Sequence, residues 1–340
     1  MDSRCEGLCD TACLAAGIED NATGTALVME LARVMSRYSY KHTLVFLATT
    51  AEEQGLYGAK AFADFVKQKG IPVKAVLNND VVGGIICGKT ASPPGCPGEN
   101  EIDSTQVRLF SQGSFNSPHK GLVRYIKLQY RERILPFAAV PMTVTIMSAE
   151  DRTGRSGDHI PFRQNGYTAM RFTSAHEHGD AHVTQPGYDD RQHTSEDILG
   201  VDTDHDSMID SFFVDFNYLA RNTVINGNAA GMIAISPETP DFDLVKDHEE
   251  NLVVTVTDPH QFLHYRVGVR TETNDWDSVY TFTGSLTHTL TLPPGKNYIL
   301  SVAAVDGAGV ESLFSREQMT RVTDVYDLDA APKSVELLQN

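Results

Sequence analysis

The sequence has no run approaching the ~18 apolar residues of a membrane span, so no spanning helix is expected. It lacks an excess of basic residues: 28 Lys and Arg stand against 45 Asp and Glu, a formal charge of −17. Phosphate attraction of the kind nucleic acids or anionic membranes need is therefore missing, and neither is expected as a partner. The start, Met1-Asp2-Ser3-Arg4, has neither a basic opening nor an apolar stretch, so no secretory signal lies within the chain. Cysteine is sparse, with five residues at 5, 9, 13, 87 and 96. None forms the CxxC spacing of a zinc ribbon. Cys87 and Cys96 flank a Gly/Pro-rich loop, where a disulfide fits an exported protein and free thiols are the alternative; the odd count leaves at least one cysteine unpaired. No internal repeat is evident.

What is present is an apolar content of 41% in 340 residues, enough for a sizeable core and too long for one average domain. Thr23 to Tyr38 has helical periodicity through Leu27, Leu31, Val34, Met35 and Tyr38. Thr43 to Ala48 is a continuous apolar run, the pattern of a strand buried on both faces of a parallel sheet. A helix over Gly55 to Lys69 and a strand over Val73 to Leu77 follow. Helix, strand, helix, strand indicates an α/β sheet. Further on, Gly121 to Arg133 reads as helix, Met142 to Met147 and Tyr167 to Thr173 as strands, and Ser207 to Asn226 as a long helix. After Gly231 the texture changes to short alternating strands, over 252–257, 262–271, 287–292 and 298–305, divided by Asp-Pro, Pro-Pro-Gly and Asp-Gly turns. The expected division is 1–230 for the α/β domain, 231–327 for an all-β sandwich, and 328–340 for a tail.

Asp20, the Glu52-Glu53 pair, Asp80 and His193 fall at the carboxyl ends of expected strands or in adjoining loops, where open α/β sheets place their sites. Singly, each has an ordinary reading as a helix cap, a solvated helix start or a surface histidine. Converging on one sheet edge, the carboxylates would repel one another unless a cation held them, and carboxylate with imidazole suits zinc. A neighbouring Glu that binds no metal can then take a proton from metal-activated water.

Five segments in order, Ala16-Gly-Ile-Glu-Asp-Asn-Ala-Thr-Gly24, Ala51-Glu-Glu-Gln-Gly-Leu-Tyr-Gly58, Leu77-Asn-Asn-Asp80, Gly157-Asp-His-Ile-Pro-Phe162 and Gln192-His-Thr194, resemble the motifs of the co-catalytic zinc aminopeptidases, the family of bacterial leucyl aminopeptidase and plasma glutamate carboxypeptidase. The resemblance spans about residues 1 to 228. It implies a mixed, largely parallel sheet sandwiched by helices and two Zn²⁺ ions. Asp20 would bridge the ions, Glu53 and His193 would complete one site, and Asp80 would serve the other. Glu52 would be the general base. A cis peptide between Asp20 and Asn21 is implied too, and Asp158-His159 would support the site without binding metal.

The family opens its site with His-x-Asp-Ser, and this chain begins Met1-Asp2-Ser3. The resemblance therefore implies that the histidine and the opening strands precede residue 1. It also implies that Asp2 would orient that histidine, and that the Asp80 site would hold zinc weakly. The second domain resembles a fibronectin type III module, most clearly over Tyr298 to Gly309; its expected role is contact with a polymer or cell surface, or spacing. The resulting expectation is a secreted or periplasmic aminopeptidase acting on peptides with a free N-terminus. The alternative is a catalytically impaired fragment that binds peptides or surfaces.

Overall fold

The computed structural model describes residues 3–5, 12–87, 98–152, 154–175 and 191–323. Helix α1 (Gly24–Met35) buries Leu27 and Met35, two of the periodic residues, and ends where Tyr38 is already exposed. Helix α2 (Tyr57–Gln68) buries Ala59, Ala63 and Val66 on one face. Strand β1 (Val76–Asn79) follows, then β2 (Gln106–Phe110), α3 (Pro118–Gln129) and β3 (Thr143–Ile146). The layer is completed by α4 (His159–Gln164), β4 (Ala169–Ser174), the short pair β5 (Gly200–Val201) and β6 (Ser211–Phe212), and α5 (Phe216–Ile235).

The central sheet has the order β1-β4-β2-β3. The pairs β1–β4 and β2–β3 are parallel and β2–β4 is antiparallel, so the sheet is mixed and largely parallel. Strand β4 is buried along its whole length, as expected of a strand covered on both faces. The β1–β4 register places Asn78 opposite Arg171 and Asn79 opposite Phe172, which aligns the carboxyl end of β1 with the middle of β4.

Two expected secondary-structure elements change. The run Thr43 to Ala48 forms no strand and joins no sheet among the described residues, and Val45 is exposed. Its apolar pattern is that of a buried strand, but a strand also needs a hydrogen-bonding neighbour. Between this run and β1 lies a cleft of about 1380 Å³, lined by Leu44, Leu47, Val73, Ala75 and Leu77. The long helix expected over Ser207 to Asn226 starts later and runs further. Asp215 caps it by accepting from the Tyr218 N–H at 2.7 Å, and Ser211–Phe212 is strand. The expected division at 230 falls inside α5.

Beyond α5, seven strands form two antiparallel sheets: β7 (Asp241–Lys246), β8 (Leu252–Thr257), β9 (His264–Arg270), β10 (Ser278–Thr283), β11 (Thr287–Leu290), β12 (Asn297–Val305) and β13 (Gln318–Arg321). Their orders are β10-β9-β12-β13 and β11-β8-β7. Alternate residues of β8 (Leu252, Val254, Val256), of β9 (Tyr265, Val267, Val269) and of β12 (Tyr298, Leu300, Val302, Ala304) point into one core. This is the all-β sandwich read from the turn spacing.

The sandwich is not loosely tethered. Trp276, Ala303 and Phe314 belong to the same apolar cluster as Leu122, Tyr125 and Ile126 of α3. Glu317 sits between two guanidinium groups, 2.7 Å from Arg124 Nη1 of α3 and 2.7 Å from Arg270 Nε of β9. Glu311 pairs with Arg266 at 3.1 Å and accepts from Gln129 of α3 at 2.6 Å. Among the described residues no helix is long and apolar enough to cross a membrane.

Candidate metal centre

The loop carrying Asp20 is fastened from several sides. Asn21 Nδ2 donates to the Asn79 carbonyl at 2.8 Å, and Asn21 Oδ1 accepts from the Gly24 N–H at 3.0 Å. Asp197 accepts from the backbone N–H of Glu19 at 2.8 Å and of Asp20 at 3.1 Å. The Asp20–Asn21 peptide is cis, as the motif implied. A Cβ at Gly24 would lie 2.2 Å from the Asn79 carbonyl oxygen, so only glycine lets α1 start this close to β1. The loop thus delivers Asp20 to the carboxyl end of β1. Glu52 and Glu53 reach the same place from the turn before α2, closed by Gly55 and Leu56 N–H groups donating to the Glu52 carbonyl at 2.9 and 2.8 Å. His193 arrives from 140 positions beyond Glu53 with φ 65°, a left-handed conformation uncommon for a side-chain-bearing residue.

Three of the four expected ligands converge. His193 Nε2 lies 3.1 Å from Asp20 Oδ2 and 2.8 Å from Glu53 Oε1. All three ligand atoms lie within 4.8 Å of one another, and two carboxylates with an imidazole make a donor set suited to zinc. Burial alone would lower the His193 pKa, but its hydrogen bonds to the Asp20 and Glu53 carboxylates outweigh that and hold it above the ordinary value. Burial likewise opposes ionisation of Asp20, and the His193 hydrogen bond and charge reverse the effect, holding Asp20 below the usual range.

The fourth, Asp80, stands apart from that trio. Its carboxylate faces Arg171, 3.2 Å away and fully buried on β4. Arg171 also donates to Asp151 at 3.0 Å and to the Ser156 carbonyl at 2.9 Å. Burial pushes Asp80 up to about 7 despite that guanidinium. Glu52 is pushed up to about 9, first by burial and then by the charges of Asp80, Glu53 and Asp20. Like charges in one buried place raise the last carboxyl to ionise, and a divalent cation is what relieves such crowding.

Asp158 and His159 lie beside the trio without joining it. Asp158 accepts from the Thr49 hydroxyl, and His159, almost fully buried, contacts the Glu150 carbonyl at 3.3 Å. Burial lowers His159 to about 4, so it is a neutral ring. Asp2 lies outside the described residues, as do Cys9 and Cys96. Cys5 pairs with Cys13, and Cys87 is also disulfide-bonded. Arg171, Asp197, Arg4 and Arg155 surround the ligands and were not singled out by sequence reasoning. A lone arginine within the apolar run of β4 was the available signal for Arg171. The others become visible only once the loops are folded together.

The Peptidase family M28 model matches residues 2–86, which hold Asp20, Glu52, Glu53 and Asp80. The chain is similar to the M28 peptidases. A probable zinc metalloprotease of Pyrenophora teres f. teres is 29% identical over 338 residues, covering 92% of this chain and 64% of that protein. Another, of Pyricularia oryzae, is 32% identical over 247 residues, covering 69% of this chain and 46% of that protein. The chain thus spans less than two thirds of the length of the probable zinc metalloproteases it matches. Among solved structures, the Legionella pneumophila LapA aminopeptidase matches 65% of this chain and 48% of its own at 19% identity, with a TM-score of 0.43.

Proposed function

We propose that this chain carries the catalytic region of a zinc-dependent aminopeptidase. The observation that carries the reading is the convergence of His193 Nε2, Asp20 and Glu53 beside a half-buried Glu52. The similarity to the M28 peptidases supports it. Asp20, Glu53 and His193 would hold one zinc ion, and Asp20 with Asp80 a second. Bound zinc supplies Lewis acidity, polarising a peptide carbonyl and lowering the pKa of a water molecule.

The chain's own residues do the rest. Arg171 holds Asp80 from below, and Asp197 holds the Asp20 backbone, so the ligands are oriented before a substrate arrives. Glu52 is a protonated acid while four carboxylates share the site. With cationic charge among them it ionises, takes a proton from water at its carboxylate oxygen, and returns it to the departing amine. The substrate class is a peptide with a free N-terminus. The Cys5–Cys13 disulfide supports an oxidising compartment, hence export. The buried pairs at the domain junction support a structural role for the sandwich, bracing α3 and the sheet behind the site.

Hydrolysis of amino-acid p-nitroanilides, measured with and without added zinc, tests the proposal. Zinc-dependent turnover is expected, and Glu52→Gln is expected to lower kcat at least ~100-fold, the scale of general-base catalysis. A second reading, peptide binding without cleavage, is favoured by the contacts of Arg4 with both Glu53 and His193. No turnover under any metal condition, with peptide affinity retained, would establish it.

A further inference from the structure

Both ring nitrogens of His193 are engaged, and by groups of opposite kind. On one side, Nε2 faces the carboxylates of Glu53 and Asp20 at 2.8 and 3.1 Å. On the other, Nδ1 lies 3.0 Å from Arg4 Nη2 and 2.9 Å from Arg155 Nη1. A guanidinium has donors only. Nδ1 must therefore accept, and the ring proton sits on Nε2, directed at the two carboxylates. The carboxylates favour the imidazolium, whereas two guanidinium groups on Nδ1 favour the neutral ring with this one tautomer.

A neutral imidazole has a single lone-pair nitrogen. While Nδ1 accepts from arginine, Nε2 has no lone pair for a cation. If Nε2 ligates a cation, the proton moves to Nδ1, where it would point at two donors that cannot receive it. The two arrangements exclude each other. Arg4 has a second hold as well, with Nε 3.3 Å from Glu53 Oε2, so it touches two of the three ligands. Its backbone is pinned nearby: Cys5 is buried and disulfide-bonded to Cys13, and the Ser3 hydroxyl donates to the Ala15 carbonyl at 2.8 Å.

We propose that Arg4 and Arg155 are positioning residues that act through His193 to set the cation affinity of the Asp20–Glu53–His193 site. A cation enters only as both guanidinium groups leave Nδ1. The coupling is reciprocal: whatever the arginines gain from His193, the cation must displace. Their positive charges, a few ångströms from the ligand atoms, act in the same direction. This inference rests on the reading of the trio as a metal site.

The test is a zinc competition titration against a chromophoric chelator, on the full chain with its disulfides intact. Arg4→Gln and Arg155→Gln are each expected to tighten zinc about 10-fold, the scale of one charge-assisted hydrogen bond. Arg155→Lys, which keeps a charged donor, is expected to stay nearer the wild type. In a His193→Ala background the arginine changes should have a smaller effect, the part that remains being the direct charge and Glu53 contact, as a double-mutant cycle shows for residues acting largely through one group. Arginine variants that bind zinc no tighter overturn the inference, and so does equal tightening in the absence of His193. Loss of tight zinc in His193→Ala with no effect of the arginines would overturn this inference alone. Unchanged zinc affinity in His193→Ala would overturn the metal reading together with it. Nitrogen-15 shifts of the wild-type His193 ring give a second readout, independent of any variant's folding. Without zinc, Nδ1 is expected to be the unprotonated nitrogen, and with zinc the protonated one; a protonated Nδ1 in both conditions overturns the inference.

Discussion

Removing the Glu317 carboxylate is expected to destabilise the whole chain, because this one group pairs with two buried arginines at the domain junction. Its Oε1 accepts from Arg124 Nη1 and Arg270 Nε, both at 2.7 Å, and its Oε2 from Arg270 Nη2 at 2.9 Å and the Asn116 N–H at 2.6 Å. The side chains are 4% exposed for Glu317, 1% for Arg124 and 5% for Arg270, so water cannot take over. Breaking such a buried pair from one side costs about 3–5 kcal/mol, since the charge left behind stays desolvated. Against a typical stability of about 5–15 kcal/mol, that is a large share. Glu317→Ala should therefore lower the thermal midpoint by roughly 4–7 °C. Glu317→Gln, which retains volume and one acceptor, should cost less. The single tryptophan, Trp276, reports on this junction directly: it is buried, 5.0 Å from the Arg124 guanidinium and in contact with Phe314. Its fluorescence and the far-UV circular dichroism of the helices should change together in one transition, in both wild type and variant. A loss under about 1 kcal/mol, or two separated transitions in the wild type, would refute the view that one core spans both domains.

Other outcomes can be checked in parallel. Burial pushes Glu311 up to about 7 against the opposing Arg266 charge. A carboxyl whose folded pKa is raised contributes stability that is complete below its unfolded value, near 4.5, and is lost as pH rises through 7. The unfolding free energy should fall by on the order of 3 kcal/mol as pH rises from about 4.5 to above 7, and Glu311→Gln should flatten that slope; parallel slopes would disprove the assignment. Gly24→Ala pushes a methyl group into the Asn79 carbonyl and is expected to cost about 1–3 kcal/mol, together with weaker zinc binding, because the Asp20 loop must move. Urea midpoints and zinc titration on the same sample would check both, and an unchanged midpoint would show that the α1–β1 approach has slack.

How legible the molecule is from its residues differs by element. The amphipathic spacings of α1 and α2 depend on neighbours three and four positions away, and both helices form where that spacing runs. The turns at Asp-Pro and Pro-Pro-Gly similarly mark the sandwich, although β7, β10 and β13 carry weaker alternation and are visible only through their pairing. The run at 43–48 shows the limit. Its composition is that of a buried strand, yet strand formation depends on a partner's backbone, which no local pattern encodes.

The sequence by itself determined the acidic balance and the α/β-then-β order, and it offered Asp20, Glu52, Glu53, Asp80 and His193 as the candidate site residues. Those properties are local, set by residue type and by spacings shorter than a turn or a strand. Only the tertiary structure decided that His193 Nε2 comes within 3.1 Å of Asp20, 173 positions earlier in the chain, while Asp80 turns toward Arg171. It also decided that two arginines close on the other nitrogen of the same ring. Charges distant in sequence meet according to how sheet register and loop closure stack the layers, and that packing, not the motif, selects each carboxylate's neighbour.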